Sequence, residues 1–115
     1  MDQSPNLDDW IARIRSRDAS TYEDTYAGPR PGGPGVVARL IEEMHRSDDG
    51  YTRGKFAELL GEMGDESVVP VLLAELNHSE RGARIWAVLA LEQLGSVDGL
   101  EAAKQYRAAH ADEFG

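Results

Sequence analysis

Cysteine, an excess of basic residues and long hydrophobic runs are all missing from this sequence. The chain has 115 residues and no cysteine, which excludes disulfide bonds, thiolate nucleophiles and cysteine-ligated metals. No apolar run approaches the roughly 20 residues that a helix needs to cross a bilayer. The first residues, Met-Asp-Gln-Ser-Pro-Asn, are acidic where a signal peptide would be basic and then apolar. We therefore expect a cytoplasmic protein.

The charge balance bears on the choice of partner. Asp and Glu number 21 against 12 Lys and Arg, so the net charge is −9 at pH 7. Nucleic acids and acidic membranes are bound through phosphate contacts from Lys and Arg, and we expect neither as a partner. The acidity favours a basic protein partner, or it serves solubility alone. The length and the 41% hydrophobic content are those of one soluble domain.

The second half of the chain repeats itself. Residues 84–95 match residues 53–64, and residues 68–79 match residues 36–47, at offsets of thirty-one and thirty-two positions. Self-similarity at a fixed period of this size is typical of stacked helical repeats. The pairs that align include Arg53/Arg84, Leu60/Leu91, Met63/Leu94, Gly64/Gly95, Leu72/Leu40 and Glu75/Glu43.

Hydrophobic periodicity predicts six helices. The first runs from Leu7 to about Arg17, because apolar residues recur at i, i+3, i+4 and i+7 from Leu7. The short turns between the later helices require antiparallel neighbours, which gives a chain of helical hairpins. The five later helices are predicted at about 35–46, 51–63, 67–77, 81–94 and 98–110.

Residues 18–34 separate the first helix from the others. Three prolines and three glycines fall within residues 28–34, so this part cannot be helical. We expect the whole segment to be a tether that lets the first helix dock elsewhere, or a loop that presents Tyr22 and Tyr26 to a partner. The predicted organisation is an N-terminal helix with a Pro/Gly-rich tether over 1–34 and a helical repeat domain over 35–115.

A family resemblance is carried by Gly64-Asp-Glu-Ser-Val-Val-Pro-Val-Leu-Leu-Ala-Glu-Leu and by Arg84 with the Ala87/Ala90-Leu91/Leu94-Gly95 spacing. These residues resemble HEAT repeats, in the short form first named for phycobilisome lyases. The resemblance covers residues 35 to about 107 and implies an all-α solenoid of about five helices, with the extra N-terminal helix attached. It implies little about function, because no bilin-specific site accompanies it.

The resemblance also implies structural roles for repeated residues. Arg53 and Arg84 would support neighbouring turns by bonding carbonyls or an acid, and Asp65, Asp48 or Asp49 are the candidate acids. From the residues themselves, Gly64 and Gly95 are expected to end their helices in the left-handed conformation.

Catalytic and metal sites are not expected. His45, His78 and His110 fall near helix ends at the repeat spacing, and helices 8–10 Å apart do not bring three ligands to one ion. Adjacent carboxylates such as Asp8-Asp9 are better explained as solvated helix starts than as an acid/base pair. We predict no catalytic residue, cofactor or metal.

One helix is apolar on every face. Ala87, Ala90, Leu91 and Leu94 supply the core stripe of helix 81–94, which leaves Ile85, Trp86, Val88 and Leu89 on its other faces. In the preceding repeat the matching residues, Gly54, Lys55, Ala57 and Glu58, indicate a solvated flank. Three covers are possible for the apolar face: the first helix, a second copy of the chain, or a partner protein.

The sequence thus predicts a non-catalytic protein-interaction module, adaptor or inhibitor-like, with an acidic helical surface for a basic partner. The alternatives are an accessory or lyase-like subunit that binds a small molecule or modified side chain, and a structural repeat that self-associates as a homodimer. The candidate protein-binding residues are Ile85, Trp86, Leu89, Glu42, Glu43, Glu75 and Glu101.

Overall fold

The computed structural model of the chain describes residues 5–33 and 35–114. Residues 1–4, 34 and 115, which belong to the predicted segments 1–34 and 35–115, lie outside the described residues. Within the described part every regular element is a helix, and no strand occurs there. The chain divides into two compact units, one up to Ala38 and the other from Arg39 onward. None of the described helices is long and apolar enough to cross a membrane.

The first unit opens with the predicted amphipathic helix, α1, at Leu7–Ile14. The Asn6 side chain caps it by accepting a hydrogen bond from the backbone N–H of Asp9 at 3.1 Å. The apolar stripe is buried as expected, with Trp10, Ile11 and Ile14 all inside. The helix ends three residues earlier than the predicted Arg17.

A second helix, α2, occupies Ala19–Ala27 and packs against α1. The expectation of a tether over all of residues 18–34 is therefore wrong for its first half. Asp18 caps α2 by accepting hydrogen bonds from the backbone N–H of Thr21 at 3.0 Å and from its hydroxyl at 2.6 Å. Only Thr25 of this helix is buried, so no apolar stripe marked it in the sequence. The helix ends at Gly28, where the prolines begin.

The five helices predicted for the repeat region are all present. Connections are short, and each helix starts and ends close to the predicted positions. A 3-10 turn at Glu66–Val68 precedes α5, and another at Ala111–Glu113 follows α7. The helices are α3 at Val36–His45, α4 at Gly50–Met63, α5 at Val69–Glu75, α6 at Arg81–Leu94 and α7 at Val97–Ala109.

Helix α6 lies at the centre of the second unit, where it packs against α4, α5 and α7. The closest approach is between α4 and α6, because small residues face each other there. A Cβ atom placed on Gly61 would lie 2.9 Å from Cα of Ala90, so the two backbones nearly touch. The fully buried apolar side chains of this unit include Leu40, Met44, Phe56, Leu59, Leu60, Leu72, Val88 and Leu91.

The two glycines that end helices do so in different ways. Gly95 has a φ of 74°, the left-handed conformation that was predicted for it. Gly64 is extended, with φ −84° and ψ 177°, so the same prediction is wrong for this residue. Crowding explains the glycine at position 64, because a Cβ there would lie 2.6 Å from the Leu60 carbonyl oxygen and 2.9 Å from Cγ2 of Val68.

Candidate protein-binding surfaces

Arg53 forms a buried anchor between three elements of the second unit. Its Nη1 donates hydrogen bonds to the carbonyl oxygens of His45 at 3.3 Å and Ser47 at 3.0 Å, which ties α4 to the end of α3. Nε and Nη2 donate to the two carboxylate oxygens of Glu75 on α5, at 2.7 and 2.5 Å. The side chains of Arg53 and Glu75 are 8% and 4% exposed. This bidentate geometry fixes direction as well as distance.

Arg84 makes the corresponding anchor one repeat later. Its Nη1 donates to the carbonyl oxygens of His78 and Ser79, both at 2.9 Å. Nε donates to the hydroxyl of Tyr106 at 2.8 Å, and Nη2 donates to the Glu113 carboxylate at 3.3 Å. Burial, opposed by the hydrogen bond from Arg84, raises the pKa of Tyr106. The phenol hydroxyl donates a hydrogen bond to Glu113 at 2.9 Å.

Two of the three acids predicted for these arginines, Asp65 and Asp49, have other roles. Asp65 accepts hydrogen bonds from the backbone N–H and hydroxyl of Ser67, at 2.8 and 2.5 Å, and these bonds lower the pKa of Asp65. Asp49 caps α4 by accepting from the N–H and hydroxyl of Thr52. The contacts to carbonyl oxygens match the prediction, whereas the carboxylates come from Glu75 and Glu113.

Two of the four candidate glutamates are not on the surface. Glu43 is 1% exposed and receives hydrogen bonds from Arg39 at 3.0 Å and Arg46 at 3.1 Å. Glu75 is buried with Arg53. Their expected place on an acidic surface is therefore wrong, because both charges are neutralised inside the fold. Glu42 and Glu101 are exposed, on α3 and α7 respectively.

The apolar face of α6 is covered in part by α4. Val88 is fully buried, while Ile85, Trp86 and Leu89 are half-buried. A Cβ atom on Gly54 would overlap Cδ1 of Trp86, so the indole lies directly on the glycine backbone. The predicted solvated flank of α4 is wrong, because Gly54, Lys55 and Ala57 are buried. Trp86 and Leu89 also line a shallow cavity of about 140 Å³ with Glu58 and Glu62.

A groove runs between α5 and α7 on the surface of the second unit, and we call it the α5–α7 groove. It consists of two cavities that share Leu73. The first cavity, of about 410 Å³, is lined by Glu66, Val69, Pro70, Leu73, Ser96, Val97 and Asp98. The second, of about 390 Å³, is lined by Leu73, Leu76, Asn77, Arg84, Ala102, Gln105, Tyr106 and His110.

Charge is distributed unevenly along the α5–α7 groove. The first cavity joins the starts of α5 and α7, where Glu66 and Asp98 are exposed beside apolar side chains. The second cavity joins the later parts of the same helices and carries Arg84 and His110. Val97 stands at the first cavity with 83% of its surface exposed. The groove thus combines an apolar floor with carboxylates at one end.

Sequence reasoning did not find this groove. Leu73 and Leu76 belong to the apolar pattern of their helix, and such a pattern does not distinguish core residues from the lining of a groove. The available signal was the position of α7 as an unpaired helix after two hairpins, since such a helix leaves one side of its neighbour uncovered. Val97 at the first helical position also carried a signal, because an apolar side chain there has few neighbours.

The remaining candidates fall in different places. His45 ends α3, His78 lies in the turn before α6 and His110 follows α7. No group of metal-binding side chains converges among the residues that the structure describes. Tyr22 and Tyr26 lie on α2 with ring centroids 5.8 Å apart, and the Arg30 guanidinium lies 4.9 Å from the Tyr26 ring. The two tyrosines are half-buried parts of a helix rather than a presented loop.

Stacked hairpins with an arginine at the same place in each repeat define a helical repeat protein. The family model for HEAT repeats matches residues 37–114, which is more than half of the chain, and the chain belongs to this family. HEAT repeats generally mediate protein–protein interaction. Searches of curated proteins and of solved structures found no match.

Proposed function

We propose that this protein is a non-catalytic interaction module of the cytoplasm, adaptor or inhibitor-like, that binds a basic partner protein. The observation that carries the proposal is the first cavity of the α5–α7 groove. Apolar side chains of Val69, Leu73 and Val97 lie there beside the carboxylates of Glu66 and Asp98. An apolar centre with a charged rim is the usual anatomy of a protein interface.

The charges of this cavity support selectivity for a basic segment. The net charge of −9 attracts a cationic partner over distance. Carboxylates at the rim then speed association and reject acidic competitors, while apolar contacts supply most of the affinity. The expected ligand is a protein segment with apolar residues and at least one Lys or Arg.

A peptide selection tests this proposal. Random peptides displayed on phage are selected against the full chain, and enriched peptides are expected to combine Lys or Arg with apolar residues. Val97→Glu should weaken their binding at least tenfold, because it replaces an apolar side chain of the cavity lining with a charged, hydrated one. Since Val97 is exposed, the substitution should leave the fold intact.

Tyr51→Glu is the matched control. Tyr51 is an exposed large side chain on α4, outside the groove, and 59% of its surface is accessible. Its substitution should leave peptide binding unchanged. Failure to enrich any peptide that combines Lys or Arg with apolar residues, or equal loss of its binding in both variants, would contradict the proposal.

Self-association is the second candidate, because Val97 and Leu100 are both exposed on α7, at 83% and 44%. A second copy could cover them in a two-fold interface. Light scattering after gel filtration, over a series of concentrations, separates the two functions. A stable dimer that Val97→Glu dissociates would favour the structural role, whereas a monomer at every concentration would favour a different partner.

A further inference from the structure

The last described residues fold back onto the second unit. After α7 the chain forms the 3-10 turn Ala111–Glu113 and ends its described part at Phe114. We call Ala111–Phe114 the tail. The tail contacts side chains of both α6 and α7. These two helices therefore form the surface on which the tail lies.

The Glu113 residue of the tail is held by three side chains. Arg81 donates a hydrogen bond from Nη2 to the Glu113 carbonyl oxygen at 2.9 Å. Arg84 and Tyr106 donate to the same carboxylate oxygen, Oε1, at 3.3 and 2.9 Å. Both the backbone and the side chain of this one residue are therefore recognised.

Phe114 is held by an aromatic and a cationic neighbour. The guanidinium of Arg107 lies 4.4 Å from the centroid of the Phe114 ring, within the range of a cation–π contact. The ring of Tyr106 meets the Phe114 ring edge to face, with centroids 6.0 Å apart. Next to the carboxylate site there is thus a second site that fits an aromatic ring.

These contacts place three arginines around a short acidic segment in a chain that has few cations. Lys and Arg number only 12 against 21 acids, yet Arg81, Arg84 and Arg107 all face the tail. The anchor is also less deeply buried than that of Arg53, since the Arg84 and Glu113 side chains are 22% and 12% exposed. A short segment held by a few partly exposed side-chain contacts opens at a lower free-energy cost than the packed helices do.

We propose that Arg81, Arg84, Tyr106 and Arg107 form a binding site for an acidic–aromatic segment of a partner protein, in which a carboxylate residue is followed by an aromatic one. The chain's own tail occupies the site as an intramolecular ligand and competes with the partner. This site differs from the first cavity of the α5–α7 groove in the charge that it selects, and it does not depend on the proposed function.

The test empties the site in the full-length chain. Glu113→Ala with Phe114→Ala removes both recognised side chains and leaves the helices unchanged. The probe is the end-blocked peptide Ala-Asp-Glu-Phe, followed by NMR titration. It should bind the double variant at least about tenfold more tightly than the wild-type chain, because a site occupied by its own tail is available only for a fraction of the time. The shifted signals should belong to α6 and α7.

Two controls tie binding to the proposed contacts. The peptide Ala-Asp-Ala-Ala should not bind. Adding Arg81→Gln to the double variant should abolish binding of Ala-Asp-Glu-Phe, because the exposed Arg81 side chain on α6 donates to the ligand backbone. Adding Lys104→Gln, which removes an exposed cation of α7, should leave binding unchanged. Dispersed amide signals in each variant establish that it is folded.

The proposal is overturned if the folded double variant does not bind the peptide Ala-Asp-Glu-Phe, or if it binds this peptide no more tightly than the wild-type chain does. It is also overturned if Arg81→Gln has no effect. A wild-type dimer that the double variant loses would identify a second copy as the occupant in place of a partner protein. Val97→Glu should leave peptide binding unchanged, so failure of the proposed function can be told apart from failure of this site.

Discussion

The two arginine anchors occupy the same place in successive repeats but differ in how their charge is balanced. Both donate to carbonyl oxygens at the end of the preceding helix, and both contact a residue that follows 22 positions later. For Arg53 that residue is Glu75, a carboxylate. For Arg84 it is Tyr106, and the carboxylate comes from Glu113 in the tail.

The difference shows what a position inside the stack provides. Glu75 lies on α5, which packs against α6 and contacts α7, so its ion pair is sealed. Tyr106 lies on α7, the last helix of the described chain, and its anchor is reached by solvent. Tyr106 extends the reach of the arginine to a carboxylate outside the helices. The Arg53 anchor is therefore part of the core, whereas the carboxylate of the Arg84 anchor could be replaced by one from another segment.

The largest expected effect is at the sealed anchor. Glu75→Gln should lower the free energy of unfolding by about 3–5 kcal/mol, because it leaves the Arg53 charge buried without its carboxylate. Urea denaturation measures the loss. Adding Arg53→Met should recover part of it, since the uncompensated charge is then removed. A loss under about 1 kcal/mol would contradict the contrast between the anchors.

Arg84→Met should cost less, roughly 1–3 kcal/mol, which is the range for losing hydrogen bonds to a charged group. Tyr106 and Glu113 keep their mutual hydrogen bond in this variant, so neither is left buried without a partner. The same denaturation experiment on Arg53→Met provides the comparison. Equal losses for the two arginine variants would show that the anchors are equivalent.

The open anchor should also make stability depend on acidic pH. Burial acts to raise the pKa of Glu113, but the hydrogen bond from Tyr106 and the charge of Arg84 outweigh it, and the pKa is lowered from its usual 4.5. A carboxylate whose pKa is lower in the folded state contributes stability above pH 4.5, and this contribution is lost as the pH falls through the folded-state value.

Glu113→Gln tests this dependence. The variant should be less stable than the wild-type chain near neutral pH, and the difference should shrink as the pH falls below 4.5. Unfolding free energies measured across this range give the result. A difference that is constant with pH would remove Glu113 from the anchor.

The smallest change in stability is expected for an ion pair in which both side chains are partly exposed to solvent. Arg107 donates to Glu92 at 2.7 and 2.8 Å, and this hydrogen bond is the main cause that lowers the pKa of Glu92. Their side chains are 39% and 34% exposed, however. Arg107→Gln should therefore cost only about 0–1 kcal/mol. A larger loss in thermal or urea unfolding would mean that exposure does not rank these pairs.

The repeat period made most of the fold predictable. Local patterns locate the five helices from α3 to α7, because their apolar residues recur and their turns are short. Helix α2 was not predicted, because its stability comes from the Asp18 cap and from packing against α1 rather than from an apolar stripe. A sequence pattern records a buried face, and α2 buries almost none of its own.

The acidic candidates failed for a related reason. Glu43 has Arg39 four residues before it and Arg46 three residues after it, so its local pairing was readable from helical spacing. The partner of Glu75, Arg53, is 22 residues away in the sequence, and only the folded chain brings the two side chains together. The contacts of Glu113 with Arg81 and Arg84 are nonlocal in the same way. Residue spacing along a single helix does not predict them.

The indole of Trp86 resting on the backbone of Gly54 has a consequence for how this sequence can change. Any side chain at position 54 would occupy space that the Trp86 ring already fills. Substitutions at the two positions are therefore coupled: a larger residue at 54 is compatible with the fold only when a smaller residue replaces tryptophan at 86. Homologues should exchange volume between α4 and α6 at this point while keeping its sum nearly constant.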